Sequence, residues 1–370
     1  MIKSLVEDAL SREGPGTEDL TATGALQDTL VDAELEEILR SLKTNIKIIG
    51  VGGGGCNTIA RIADEGIFGA ELFAANTDAQ HLLVTRAAQK ILLGKRITRG
   101  LGAGAIPQVG EEATREAEEE IKKALTDTHI CFITCGLGGG TGTGGAAVIS
   151  HMAKEMGALT IAVATLPFSG EGRVRMENAE WGVDRLRECA DTVIVIPNDK
   201  LLELVPKLSL NAAFKVADEV LTKSIKGLTE MITRPGLVNL DFNDLKTIMR
   251  GGGVAMMGLG ESDEDSDDRA LDAIDQAINS PLLEVDISEA TGVLVDVIGG
   301  LDLTLAEAQK AAEEVQSRVS QNARIIWGAT IDPSMENKIK VMIVVTGVKS
   351  TQILGKSTEP KKLGELEFVR

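Results

Sequence analysis

Two glycine runs carry the most evident chemistry. Residues 136–145 read GLGGGTGTGG, with seven glycines, two threonines and one leucine. Glycine loses more backbone freedom on folding than any other residue, so seven in an ordered stretch need a reason. The run follows a strand-like apolar segment, HICFITC, and leads into AAVISHMAKEM, which reads as a helix. Set between strand and helix, it lets backbone N–H groups converge on phosphate oxygens, and the helix dipole favours the negative charge. Thr141 and Thr143 can donate hydroxyls. A flexible glycine linker fits poorly, because strand and helix flank the run directly.

The second run is GVGGGGCN, residues 50–57. Gly50, Gly52 and Gly55 satisfy G-x-G-x-x-G, a formal match to the dinucleotide fingerprint. That fingerprint also wants an acidic residue at the end of the second strand to hold a ribose hydroxyl. Here the second strand ends at Ala75 and Asn76, with Asp78 slightly beyond. Taken alone, this run keeps a dinucleotide-dependent oxidoreductase open. A dinucleotide domain needs one such run, however. Two of them, with the glycine-rich GLGAGAIP at 100–107, imply the longer phosphate chain of a nucleoside triphosphate. No G-x-x-x-x-G-K-[ST] occurs, so this is not a P-loop protein.

Strands and helices must hold these runs in place. NIKIIGVG, ELFAANTD, KILLG, HICFITCG, GALTIAVATLP and DTVIVIPND read as strands, and helical patterns stand between them. One helix is expected over GEEATREAEEEIKKALTD. This alternation implies a parallel sheet covered on both faces, with ligands at the carboxyl ends of its strands. Phe214, Ala217, Leu221, Ile225, Leu228 and Ile232 step by three or four, so 212–233 is one long helix, ended by Pro235 and Gly236. A second α/β region follows: GGGVAMMGLG, TGVLVDVIGG, ARIIWGATID and NKIKVMIVVTGV as strands, with helices near 264–280 and at 304–318. That order predicts a smaller mixed sheet. Residues 1–31 lack periodicity and read as a flexible extension, followed by a short acidic helix at 32–42.

Composition excludes several classes of function. Aromatics make up 2 % of the chain and Tyr is absent, which argues against single-stranded nucleic acid bound by base stacking. A formal net charge of −18 repels nucleic acid and anionic membrane. An anionic ligand must then be neutralised locally. The four cysteines, Cys56, Cys131, Cys135 and Cys189, make no disulfide framework in a chain this size, and a reduced cytoplasmic compartment is expected. Cys131 and Cys135, with His129, alternate along one strand and read as small core residues rather than a metal set. No signal peptide or membrane-spanning run is evident, so no direct membrane insertion is expected.

The segment GGGTGTG after a strand, here at 138–144, resembles the signature of the tubulin/FtsZ family of GTPases, and the chain resembles its archaeal branch. Further matching segments are GVGGGG-N (50–57), NTDAQ (76–80), GLGAG (100–104), PF–EG–R (167–175), IPND (196–199), ITRPGL-N-DF-D (232–244) and SPLLE-DI (280–287). The resemblance runs from about residue 45 to about 348 with its spacing preserved. It implies an α/β tubulin-like fold with a Rossmann-like parallel-sheet GTPase domain, a long central helix and a second, smaller α/β domain. The boundaries expected are a 1–44 extension, a 45–208 GTP-binding domain, a 209–234 connecting helix, a 235–350 C-terminal domain and a 351–370 tail.

The resemblance also implies roles. Gly53, Gly54, Gly55, Asn57, Gly140, Thr141 and Gly142 surround the phosphates, and Cys56, Asn76, Gly139 and Thr143 belong to the same nucleotide site. Ala103 and Gly104 close over the γ-phosphate, and Ile106 stands where many bacterial members carry an amide. Glu171 and Arg175 contact the ribose, although alone they would read as a surface i,i+4 pair. Asp218 holds guanine, accepting its N1–H and 2-amino donors, and Asn198 adds a second polar contact. Asp241 and Asp244, assisted by Asn239, orient the attacking water at a neighbouring subunit's GTP. By themselves Asp241 and Asn243 read equally well as helix caps. GTP and GDP are the expected ligands, with Mg2+ held through phosphates and water. Expected partners are further copies of the chain, stacked head to tail, and membrane-anchoring and division proteins at a mid-cell ring. A tubulin-like cytoskeletal GTPase for cell shape or DNA segregation is the closest alternative.

Overall fold

The computed structural model describes residues 44–204, 210–234, 236–238, 240–263, 268–283, 285, 287–335 and 337–348. The N-terminal extension up to residue 43, where a helix is expected at 32–42, the tail beyond 350, Pro235 and Asn239 lie outside the described residues.

The chain enters β1 (Ile46–Val51), turns into α1 (Gly52–Glu65) and continues through β2 (Ala70–Asn76), α2 (Ala79–Val84) and β3 (Gln89–Leu92). Helices α3 (Pro107–Glu116) and α4 (Glu118–Ala124) lead to β4 (Ile130–Gly136), α5 (Thr141–Glu155), β5 (Leu159–Leu166), α6 (Arg173–Cys189) and β6 (Thr192–Pro197). Next come α7 (Asn198–Leu204), the long α8 (Leu210–Thr233) and α9 (Phe242–Met249). The last elements are β7 (Gly253–Ser262), α10 (Arg269–Ile278), β8 (Gly292–Gly299), α11 (Leu305–Arg318), β9 (Arg324–Ile331) and β10 (Ile339–Thr346).

All ten strands join one sheet, in the order β3-β2-β1-β4-β5-β6-β7-β10-β8-β9. Strands β3 to β7 run parallel, β10 is antiparallel to β7 and β8, and β9 is parallel to β8. The mixed sheet expected after the long helix is therefore continuous with the parallel one. Their junction is short: Thr192–Ile194 pairs with Gly253–Ala255.

Alternate residues of each strand feed opposite layers, as the two-residue period requires. Ile49, Cys131, Ile133 and Cys135 pack with the apolar sides of α3, α5 and α6. Their neighbours Ile48, Ile130 and Phe132 pack on the other face with α1, α8 and α9. Burial pushes the Cys131 and Cys135 thiols up to about 12, so both serve as core residues. His129 instead accepts the Asn45 N–H on Nδ1 at 3.0 Å.

Two details depart from the sequence expectation. The single helix expected over 110–127 is broken at Ala117, whose N–H donates to Thr114 O at 3.1 Å in a tightened turn. The apolar row Ala113, Ala117, Ile121 and Leu125 stays buried across the break, so periodicity could not reveal it. In α8, Ala217, Leu221, Ile225 and Leu228 are buried as expected, whereas Phe214 is 39 % exposed.

Between α8 and the sheet lies a cavity of about 440 Å3 whose lining includes a buried carboxyl, that of Asp296. Asp296 of β8 is 1 % exposed. Its Oδ1 has no hydrogen-bond partner among the described residues. Burial, reinforced by Glu230 of α8, pushes its pKa up to about 8. Lys223, Lys226, Lys340, Glu65, Glu261 and Asp332 complete the charged lining. Because the folded state holds this proton far above the unfolded carboxyl's pKa, stability is expected to fall as pH rises from about 4 through about 8. Asp296→Asn should remove that fall and stabilise the chain at pH 9 by on the order of 2–5 kcal/mol in denaturant titrations. Equal pH dependence in both proteins would contradict this assignment.

Candidate functional site

The two glycine runs meet because β1 and β4 are adjacent parallel strands, so the segments leaving them emerge at one edge of the sheet. Both runs are already helical in part: α1 starts at Gly52 and α5 at Thr141. Gly52 has φ +73°, and a Cβ there would lie 2.7 Å from Gly142 N. A Cβ on Gly142 would in turn lie 2.7 Å from Gly136 O. The runs thus pack backbone to backbone, closer than any side chain allows. Helix α3 presses on the same run, since a Cβ on Gly144 would lie 1.9 Å from Pro107 O. Gly53 and Gly139 differ: added Cβ atoms there would meet nothing within 4 Å.

Both of these glycines open onto a cavity of about 340 Å3. Gly53, Gly54 and Asn57 of α1 line one part, and Gly139, Gly140, Thr141 and Gly142 line the next. Arg175 is the only lysine or arginine among its lining residues, so an anion there depends on backbone N–H groups and two helix N-termini.

Glu171 and Arg175 form a further wall. The turn Ser169–Glu171 and Gly172, with φ +101°, set Glu171 against Arg175 in the first turn of α6. Arg175 Nη1 donates to Glu171 Oε2, and Glu171 Oε1 accepts the Phe168 N–H at 2.9 Å. The pair expected on sequence spacing exists and also lines the cavity.

At the far end stand Asn198, at the start of α7, and Asp218 of α8. Asn198 is 5 % exposed, and its Oδ1 has no partner among the described residues. A buried acceptor left so is costly unless a ligand supplies the donor. Burial pushes the Asp218 pKa up to about 6, opposed by the nearby Arg61 guanidinium. Arg61 is itself tied to α8, 2.8 Å from Glu219 Oε2. Phe214 lines the same end, its ring edge-on to Phe168 at 5.1 Å between centroids. Its exposure follows from this position.

Other expected site residues stand behind this wall. Thr143 is fully buried and its Oγ1 accepts the Gly138 N–H at 2.9 Å, which holds the run's shape. Thr141, which is itself in the lining, has its Oγ1 2.6 Å from Thr77 Oγ1 behind it. Gly55 abuts Thr134 O, and the Cys56 thiol is buried in the core with its pKa pushed up to about 12. Asn76 is buried and its Nδ2 lies 3.1 Å from His81 Nδ1. Ala103 packs against Gly140. The segment that also carries Gly104 is stitched to the β2 end by Ala79 N–H to Gly100 O (3.0 Å) and Gly102 N–H to Thr77 O (3.2 Å). Ile106 is 50 % exposed, and its backbone rather than its side chain approaches Gly140.

Asp241 and Asp244 are not among the cavity's lining residues. They form a capping box on α9: Asp244 N–H donates to Asp241 Oδ1 at 2.8 Å, and Asp241 N–H to Asp244 Oδ2 at 3.3 Å. Asp241 is exposed and Asp244 half-buried, so both carboxylates reach the surface. Sequence reasoning missed Gly136, Leu137, Thr165, Pro167, Phe214, Ala217 and Leu221 as lining residues. Thr165 and Pro167 could have been found, because β5 is the parallel neighbour of β4 and ends beside the second run.

Residues 45–206 match the Tubulin/FtsZ family, GTPase domain, and residues 253–349 match the FtsZ family, C-terminal domain. The chain is 56 % identical to the cell division protein FtsZ 1 of Archaeoglobus fulgidus over 371 residues, covering 100 % of both proteins. It is 55 % identical to FtsZ 1 of Pyrococcus horikoshii, covering 89 % of this chain and 88 % of that one. Among solved structures, an empty FtsZ dimer of M. jannaschii superposes with TM-score 0.82 at 55 % identity, over 86 % of this chain and 92 % of that one. A protofilament of CetZ2 from Haloferax volcanii shares the fold at TM-score 0.72 and 21 % identity, over 83 % and 94 % of the two chains. With both family domains present in order and archaeal relatives matching along its whole length, the chain belongs to the FtsZ family of cell-division GTPases.

Proposed function

We propose that the chain binds GTP in the cavity between the glycine runs and Asp218, polymerises head to tail, and hydrolyses GTP only where two subunits meet. The observation that carries this reading is a division of parts. The cavity joins the two glycine runs to a half-buried carboxylate and an orphaned amide oxygen, yet its lining includes neither Asp241 nor Asp244.

In this reading Gly53, Gly54, Gly140 and Gly142 offer N–H groups to the phosphates, and Thr141 can add its hydroxyl. Glu171 and Arg175 meet the ribose. The Asp218 carboxylate accepts guanine N1–H and the 2-amino group, Asn198 Oδ1 is a further acceptor, and Phe214 supplies an apolar surface. Adenine offers no matching pair of donors. Among the described residues no three His, Cys, Asp or Glu side chains converge as a cation set. Mg2+ accompanying the triphosphate would be held by its oxygens and water, neutralising charge there, and no step is assigned to it.

Hydrolysis uses the neighbour's Asp241 and Asp244, with Asn239 assisting, to position a water against the γ-phosphorus. A bond forms from water oxygen to phosphorus as the β–γ bridging P–O bond breaks, leaving GDP and phosphate. Such a head-to-tail contact is heterologous and propagates as an open filament. Leu83, Val84 and Leu101, on and beside segments joined to the β2 end, are 76 %, 74 % and 85 % exposed, which suits a surface covered by the next subunit. The 45–208 part would bind nucleotide, the 209–234 helix connect, and the 235–350 part supply the acting carboxylates. The filament would scaffold the mid-cell division ring in the cytoplasm, tethered by membrane-anchoring division proteins. Sedimentation tests the assembly: GTP should bring the protein into the pellet, GDP should not, and equal pelleting would contradict the proposal.

A further inference from the structure

Asn57 lines the cavity from α1, and its side chain is held from outside by a histidine. The polarity of that contact follows from the groups behind it. Asn76 Oδ1 accepts the Asp78 N–H at 3.3 Å, so the Asn76 NH2 faces His81 Nδ1, 3.1 Å away. An amide NH2 can only donate, which makes Nδ1 an acceptor and leaves the imidazole proton on Nε2. Nε2 lies 3.1 Å from Asn57 Oδ1, which therefore accepts. The ring is seated by its own backbone, since His81 N–H donates to Asp78 Oδ1 at 3.0 Å as the first cap of α2. A directed chain of donors thus runs from the Asp78 backbone through Asn76 and His81 to Asn57.

With its oxygen turned to His81, Asn57 is left with its NH2 directed at the cavity it lines. A donor suits phosphate oxygens; an amide turned by 180° would present a lone pair to them. We propose that His81 is a positioning residue for nucleotide binding, holding the Asn57 amide in the donor-outward orientation. This rests on the nucleotide reading of the cavity given above.

The test is a double-mutant cycle on GTP affinity, measured with dilute full-length protein to avoid assembly. His81→Phe keeps a ring but loses the donor and should weaken GTP binding by about tenfold, the scale of one hydrogen bond. Asn57→Ala should cost a similar factor, and His81→Phe combined with Asn57→Ala should be no weaker than Asn57→Ala alone. His81→Gln, which can present an NH2 in place of Nε2–H, should restore most of what His81→Phe loses. A merely structural role would lower the melting temperature of the nucleotide-free protein and multiply the two losses. Multiplied losses, or wild-type affinity in His81→Phe, overturn the inference while GTP binding stands. A wild-type chain that binds no GTP overturns the nucleotide reading itself, and this inference with it.

Discussion

Asp244→Ala is expected to bind GTP with unchanged affinity and to hydrolyse it at least about 100-fold more slowly, with polymer that outlasts that of the unaltered chain. Asp244 is not among the residues lining the cavity, so its removal leaves the binding wall intact. Its structural duty is local: Oδ2 accepts the Asp241 N–H in the capping box of α9. Losing that contact costs about 1 kcal/mol of helix stability, far too little to unfold a core of this size. Binding by nucleotide competition and turnover by phosphate release, run on the same preparation, separate the two effects. If Asp244→Ala lost GTP binding instead, the residue would be a support of the cavity and not a part of hydrolysis. The same comparison at Asp241 should use Asp241→Ser, because serine keeps the cap that alanine would remove.

Asp218→Asn is expected to lose GTP affinity by about 100-fold or more, because the amide places a donor against one of guanine's two donors. The unaltered chain should also show a pH signature. Burial holds the Asp218 pKa at about 6 in the nucleotide-free protein, whereas accepting two base donors requires the charged carboxylate. Affinity should therefore be flat above about pH 7 and fall by about tenfold per unit well below pH 6, where a proton must be displaced before the base can bind. Asp218→Asn should be weak and flat across the same range. Affinity measured from pH 5 to pH 8 decides this; a pH-independent wild type would remove Asp218 from base recognition.

Much of the glycine-lined wall is legible in the sequence, because glycines clustered between a strand and a helix serve chiefly to let backbone approach something closely. The structure divides those glycines by physical cause. Gly52, Gly142 and Gly144 are small because backbone presses on them, whereas Gly53 and Gly139 face open space. Nothing in the sequence separates these causes, since both write the same letter. Phe214 and Ala117 show a related limit. A three-to-four spacing reports which side of a helix is apolar; it does not report that Phe214 has passed the edge of the core, or that α3 ends one residue before Ala117. His81 carries no signal of its own within NTDAQH, because its contacts to Asn57 and Asn76 join α1 to the end of β2 and exist only once both are folded. The continuity of the sheet is hidden for the same reason, resting on a three-pair junction between β6 and β7 that are separated by the whole of α8 and α9.

The central claim is that one subunit binds GTP and a second subunit completes the hydrolytic site. GTP turnover per molecule, measured against total protein concentration, tests it most directly. The expected result is almost no turnover in dilute protein and a rise above a critical concentration, coincident with the appearance of sedimenting polymer. A turnover per molecule that stays constant from dilute to concentrated protein would contradict the shared site.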